Sequence, residues 1–214
     1  MSFRVVLTVH EDKKVRLIVF TSDTGLWSVA TSVDFPTRPD GVENHWLSES
    51  IKHANGILYW VSEDHRYMTS LNVATMEFSV TELPQCLMGR SFDIGHTKDG
   101  KTCIVYADKF SIGVCLMQTG VDRWVQDRVV PMDVELHRIL PIQFDVNSEL
   151  DVLEVRDGYV YLATSRMHQI LHESWFLTLC LETMKLEALF RRSYDGFAQP
   201  YIMATWPPLL GNNH

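Results

Sequence analysis

Residues 53–84, HANGILYWVSEDHRYMTSLNVATMEFSVTELP, decide the fold. The stretch opens on Asn55-Gly56, runs through the apolar segment Ile57–Val61 and crosses a short polar loop. A second segment, Ser70–Val73, leads to a turn at Ala74-Thr75 and a third segment, Glu77–Leu83, closed by Pro84. Asn-Gly and Asp-Gly pairs accept the positive φ values of a type I′ hairpin, so such a pair before an apolar run predicts a strand leaving a tight turn.

The same unit recurs along the chain. Asp99-Gly100 and Asp157-Gly158 stand before the apolar runs Thr102–Tyr106 and Tyr159–Ala163. A second marker is a threonine turn one strand later, at Thr24, Thr75, Thr119 and Thr183. Three residues after it comes Trp27, Phe78 or Leu186; in the third unit Trp124 comes five after. The Gly-to-Thr distance is 19 residues in the second and third units and 25 in the fourth, which reads as a loop inserted around Met167–Ser174. The first unit is abbreviated: Arg4–Val9 and Val15–Phe20 pair across His10–Lys14, and Leu26–Thr31 follows.

Fixed-offset repeats of this length are supersecondary units that bury their faces by stacking on their neighbours. The expected architecture is all-β, a propeller-like array of about four antiparallel blades, incomplete relative to a larger ring. The expected units are 1–35, 50–84, 90–131 and 150–206 of a single domain, 1–214. A β-sandwich is the alternative. Leu177, Leu179 and Leu181 alternate with Thr178, Cys180 and Glu182, and Ile112, Val114 and Leu116 share a face in the same way. No window of 12 or more residues carries a helical stripe; Met167–Trp175 holds a turn or two at most. The connectors are Phe35–Glu49, Pro84–Arg90 and Pro131–Glu149, the last long enough for an irregular crossing. An unclosed array exposes a strand edge, which predicts a closing strand from Tyr201–Trp206 or self-association through that edge.

Composition narrows the function classes. The 214 residues carry 19 Lys and Arg against 27 Asp and Glu, a net charge of −8, with no basic block beyond Lys13-Lys14 and Arg191-Arg192. Nucleic-acid and anionic-membrane surfaces need clustered positive charge, so neither partner is expected. The N-terminal apolar run is too short for a signal-peptide core, and no segment approaches the ~18 apolar residues of a membrane span. The four cysteines are scattered; Cys103, Cys115 and Cys180 sit in apolar strand patterns, as small buried hydrophobes do. The expected location is intracellular, in cytoplasm or nucleus.

With these residues in view, the chain resembles a family. Asn55-Gly56-Ile57-Leu58-Tyr59-Trp60, then Ser70-Leu71-Asn72-Val73 and Glu82-Leu83-Pro84, is similar to the F-box-associated, kelch-like domain of plant F-box proteins. Val19–Trp27 upstream, Val114-Cys115-Leu116 through Trp124 downstream, and the close Tyr201–Ala204 with Trp206-Pro207-Pro208 extend the resemblance over most of the chain. The resemblance implies a module that captures the substrate protein of a cullin-based ubiquitin ligase. The F-box helices that dock on a Skp-type adaptor are absent from these residues, so the link to the ligase is expected to be indirect. The alternatives are a stand-alone regulator or decoy for one partner, and a small-ligand-binding or hydrolytic propeller. A polar central cavity would favour the last; dry Leu and Val packing would not.

No residue set announces a chemistry. His168 and His172 are spaced i, i+4, but HQILH lacks the adjoining Glu of a zinc protease and a third ligand. There is no Gly-x-Ser-x-Gly elbow and no Gly-rich phosphate loop. The pairs Glu11-Asp12 and Glu63-Asp64, and Glu149 with Asp151, sit in turn-like polar stretches where solvated charge suffices. No enzyme, metal or cofactor is expected. Three loops are rich in the aromatic, His and Arg side chains of binding hot spots. The expected partner-binding residues are His45, Trp46, His65, Arg66, Tyr67, Arg166, His168, His172 and Trp175.

Overall fold

The computed structural model describes residues 2–11, 14–34, 47–63, 65–118, 123–141, 147–166 and 172–194. They are all-β and form four antiparallel sheets, one for each repeat unit and not the two of a sandwich. Sheet 1 holds β1 (Arg4–Glu11), β2 (Lys14–Thr21) and β3 (Leu26–Asp34). Sheet 2 holds β4 (Leu47–Ala54), β5 (Ile57–Ser62), β6 (Tyr67–Asn72) and β7 (Phe78–Glu82). Sheet 3 holds β8 (Phe92–His96), β9 (Thr102–Asp108), β10 (Ser111–Gln118) and β11 (Arg123–Pro131). Sheet 4 holds β12 (Ser148–Arg156), β13 (Tyr159–Arg166), β14 (His172–Cys180) and β15 (Leu186–Tyr194). Each is a simple meander in chain order.

The turn markers take the conformations their chemistry predicts, with one exception. Asn55-Gly56 and Asp157-Gly158 have positive φ at both residues, as a type I′ hairpin requires. Asp99-Gly100 does not. There β8 ends at His96 and a longer connection follows, closed by the Gly100 N–H donating to the Thr97 carbonyl at 2.9 Å. Each described threonine marker is followed by a left-handed residue: Gly25, Met76 and Met184. In all three turns the threonine Oγ1 lies 3.4 Å from the backbone N–H two residues on. A short hydroxyl side chain that can reach back in this way favours turns, which is why threonine recurs there.

The sheets stack face to face in chain order. Val15, Leu17 and Val19 of sheet 1 meet Trp60, Leu71 and the half-buried Phe78 of sheet 2. Tyr59, Val61 and Met68 on the other face of sheet 2 meet Ile104, Tyr106, Cys115 and Trp124 of sheet 3. Cys103, Val105, Ile112 and Val114 of sheet 3 meet Val160, Leu162, Leu177, Leu179 and Leu186 of sheet 4. Sheets 2 and 3 are thus covered on both faces, and β5 and β9 read as continuous apolar runs for that reason.

Three strands lay outside the sequence expectation. β4, β8 and β12 precede the Asn-Gly or Asp-Gly turns, are too polar to read as strands, and are neighbours of one another in space. Among the described residues sheet 1 has no counterpart of them, which leaves β1 at its edge, and Tyr201–Trp206, the expected closing strand, lies outside the described residues. The connector after Pro131 carries α1 (Asp133–Ile139), where no helix was expected. It buries Leu136, with Met132 and Leu140 flanking it, between sheets 3 and 4. Seven residues with one buried side chain are too few to show a periodic stripe. Cys180 is a second correction: it lies on the far side of β14 from Leu177 and Leu179 and is only half-buried.

Candidate binding surface

The neighbouring strands β4, β8 and β12 bring four charges together. Lys52 Nζ lies 2.7 Å from Asp93 Oδ1, and the other carboxylate oxygen accepts the Val155 N–H at 2.8 Å. Glu154 pairs with Arg156 on the same strand. Asp93 is almost fully buried, and burial raises its pKa above the usual carboxylate value even though Lys52 and two backbone N–H groups pull the other way. Burial likewise raises Glu154, against the opposing pull of Arg156. The strands approach closely: a Cβ on Gly95 would overlap the Val155 carbonyl. Ser91 Oγ accepts the Val152 N–H at 2.9 Å, a further tie from sheet 3 to sheet 4. The cluster is therefore not a dry Leu and Val core. Its charges are matched pairwise, as buried charges must be, and it acts as a polar clamp across three sheets.

Hydrogen bonds between the hairpin turns align the sheets. Asn55 Nδ2 donates to the Gly100 carbonyl at 2.7 Å. Gly158 N–H donates to the His96 carbonyl at 3.0 Å, and His96 Nε2 lies 2.9 Å from Asp157 Oδ1. The three Asn-Gly and Asp-Gly connections thus interlock at one end of sheets 2 to 4. Strands alternate in direction, so the opposite end holds the starts of β4, β8 and β12, the β5–β6 and β9–β10 connections, and the facing ends of β13 and β14.

That opposite end is where the expected partner-binding residues fall. His65 is half-buried, with positive φ, and its ring meets Phe92 edge-on at 5.4 Å. Arg66 is exposed. Tyr67 is the first residue of β6 and is buried, so its ring is core and not rim. Arg166 ends β13 and His172 begins β14, where the sequence suggested a helical turn. Trp175 is half-buried in β14 against the core between sheets 3 and 4, so it plugs that layer. His45, Trp46 and His168 lie outside the described residues. The structure brings the start of β4, the β5–β6 connection and the facing ends of β13 and β14 to one end; it withdraws Tyr67 and most of Trp175 from solvent.

Two clefts open elsewhere. One, of about 520 Å³, lies between sheets 2 and 3 and is lined by Thr81, Glu82, Leu83, Pro84, Arg123 and Trp124. Thr81 Oγ1 and Trp124 Nε1 beside it are buried and make no hydrogen bond. The other, of about 530 Å³, lies between sheets 3 and 4, and its charges pair among themselves, Lys98 with Glu182 and Lys101 with Asp99. Among the described residues no three metal-ligating side chains gather, and no helix is long and apolar enough to cross a membrane. Burial pushes the Cys103 and Cys115 thiols up to about 12, whereas hydrogen bonds from Thr183 lower Cys180.

Sequence reasoning missed Lys52, Asp93, Glu154 and Arg156. A signal was present: Lys52 and Glu154 each stand four residues before the glycine of a hairpin turn. Charges at a fixed offset in a β repeat mark a shared polar layer.

No family model and no curated protein matches this chain. Solved structures do, at low similarity. A protein from Lactobacillus plantarum has a TM-score of 0.48 at 11% identity, over 88% of this chain and 53% of that one. A bifunctional GH43-CE protein of Bacteroides eggerthii has a TM-score of 0.44 at 11% identity, over 86% of this chain and 27% of that one. Hsv2 of Kluyveromyces lactis has a TM-score of 0.32 at 10% identity, over 87% of this chain and 73% of that one. This chain spans about half the length of the first. At such scores the likeness bears on neither activity nor partners.

Proposed function

We propose that this chain is a protein-binding module, a propeller-like array of four blades that holds a partner at the end opposite its interlocked hairpin turns. The observation that carries the reading is the convergence of loops. The start of β4, the β5–β6 connection and the ends of β13 and β14 are far apart in sequence, yet the strand directions put them at one end of the stack. Arg66 is an exposed side chain there of a hot-spot type, and the half-buried His65 stands beside it. The mechanism is positioning: the rim holds the partner, and any covalent chemistry belongs to another subunit. The resemblance to plant F-box-associated domains makes the partner the substrate of a cullin-based ligase, reached through a full-length relative. A stand-alone regulator or decoy is the other form of the same activity, and a cytoplasmic or nuclear location goes with both.

The test is a tagged pull-down read by mass spectrometry, with a His65→Ala/Arg66→Ala/His168→Ala variant beside the wild type. Tyr67 and Trp175 stay intact, because truncating a packed ring would confuse lost binding with lost folding. Expected is one abundant partner whose affinity falls about tenfold or more in the variant, the size of a hot-spot loss. Skp-type adaptor and cullin in the wild-type eluate point to the ligase; their absence points to the regulator. A partner held equally by the variant removes the rim reading.

A further inference from the structure

Sheet 1 has the composition of an inner sheet and the exposure of an outer one. On the face turned to sheet 2, Val15, Leu17 and Val19 are buried. Cross-strand pairing fixes what the opposite face carries: Val5 lies across from Phe20 and Leu7 from Ile18, and Phe20 pairs with Trp27 as Ile18 does with Val29. Phe3 extends this face, its ring 6.0 Å from Phe20, which is itself 5.4 Å from Trp27. Four charges on the sheet, Glu11, Lys14, Arg16 and Asp34, gather at one end and pair with each other, while Arg4 at the other end alternates with Val5 and so belongs to the opposite face. Between them and the Phe3 end the face is apolar, yet Phe3, Val5, Leu7, Trp27 and Val29 are all exposed, Val29 by 61%. Together these five present roughly 500 Å² of surface, at the upper end of the largest apolar patch on an ordinary monomer.

The repeat says what belongs on that face. Phe78, Trp124 and Leu186 occupy one position in sheets 2, 3 and 4, and each packs in the layer toward the preceding sheet. Trp27 occupies the same position in sheet 1, for which the described residues form no preceding sheet, and it is 55% exposed. Its natural neighbour is therefore the outer face of a sheet at the other end of such a stack. This chain owns one: the face of sheet 4 turned away from sheet 3 carries Tyr159, 45% exposed, and Phe190, 50% exposed, with Tyr161 on the same side, and cross-strand pairing puts the Glu154–Arg156 ion pair and Glu187 around these rings.

We propose that two copies of this chain associate head to tail, the outer face of sheet 4 of each stacking on the outer face of sheet 1 of the other, so that two arcs of four sheets close one ring of eight. A heterologous contact closes under two-fold symmetry when it is made twice, and eight blades lie within the range of closed propellers. Each copy would bury the roughly 500 Å² patch of its sheet 1 in one contact and the Tyr159 and Phe190 face of its sheet 4 in the other, on the scale of the ~800 Å² per partner of a standard interface. The contact joins faces, so it differs from pairing through the open edge of β1, and it does not depend on the rim reading.

The experiment is the mass of the full chain in solution by light scattering at about 100 µM, where an association with a Kd near 1 µM is saturated. The expected mass is twice the 24.7 kDa of one chain. Trp27→Glu alone and Phe190→Glu alone are each expected to shift the population to monomer, with unchanged far-ultraviolet circular dichroism; Leu7→Lys and Tyr159→Lys serve as second variants should either misfold. An equimolar mixture of Trp27→Glu and Phe190→Glu retains one intact contact and is expected to recover dimer. A monomeric wild type overturns the proposal. So does a dimer that Phe190→Glu and Tyr159→Lys leave intact, which would mean sheet 1 meets sheet 1 or pairs by its edge. A mixture that stays monomeric overturns the head-to-tail arrangement.

Discussion

Trp27 and Trp124 stand at corresponding places in the repeat, at the start of the last strand of sheets 1 and 3, but Trp27 is 55% exposed and Trp124 only 7%. The local sequence treats them alike: a threonine turn, then an aromatic. What separates them is the layer each meets. Trp124 packs with Tyr59 and Met68 of sheet 2, whereas the ring neighbour of Trp27 among the described residues is Phe20 of its own sheet. Residue choice in a stacked repeat follows the position in the unit, and burial follows the neighbour. An exposed aromatic at a position that is otherwise core therefore marks the place where a neighbour is due.

The sharpest way to break this comparison is to truncate both rings and measure at a concentration well below that of the proposed association. Trp124→Ala is expected to lower stability by about 3–5 kcal/mol, the cost of emptying a packed aromatic site, and Trp27→Ala by no more than about 0.5 kcal/mol, as at an ordinary surface site. Urea unfolding midpoints measure both. Equal losses would mean that the outer face of sheet 1 is already covered.

The clamp between the inner strands extends the contrast, because sheet 1 has no share in it. Lys52→Met leaves Asp93 buried without its cation and is expected to cost near the low end of the about 3–5 kcal/mol of a broken buried pair, since Lys52 keeps some contact with water. The pH dependence has a definite sign. Burial holds the folded pKa of Asp93 above its usual 3.8, so the native state takes up this proton more readily than the unfolded chain. Its stabilising contribution is fully present below the unfolded value and is lost as pH rises through the folded one. Wild type should gain on Asp93→Asn as the solution is acidified through the carboxylate range; unfolding midpoints that diverge the opposite way would refute the assignment.

The smallest effect is a labelling order. Cys103 and Cys115 sit in sheet 3, covered on both faces, with thiols pushed up to about 12, while Cys180 lies on the outer side of sheet 4 with a lowered pKa. Since the thiolate is the reactive form, iodoacetamide should modify Cys180 of the native protein well before the other two. Peptide mass spectrometry reads the order, and early loss of Cys103 would show that sheet 3 is less covered than its packing indicates.

Much of the fold was legible because it is written in short-range chemistry. Asn55-Gly56 and Asp157-Gly158 ask for positive φ, and the threonine turns supply a local hydroxyl acceptor; both mark hairpins without any knowledge of the rest of the chain. The strands of the covered layers, such as Ile57–Ser62, announce themselves by continuous apolar residues. β4, β8 and β12 did not, because Lys52, Asp93, Glu154 and Arg156 interrupt them, and those charges make sense only when three strands distant in sequence are neighbours. The rim was read in part. His65 and Arg66 sit at a strand connection as the loop composition suggested, but Tyr67 and Trp175 belong to strands, since an aromatic beside a polar loop looks the same whether its ring points out or in.

The sequence by itself determined the number of units, the turns that bound them and the residues that fill the repeated core positions, because each depends on contacts within about forty residues. The tertiary structure alone decided which faces are covered, which charges are paired and which aromatics remain in water. Those are properties of how sheets stack, and a side chain carries no record of its neighbour's distance until the neighbour is in place.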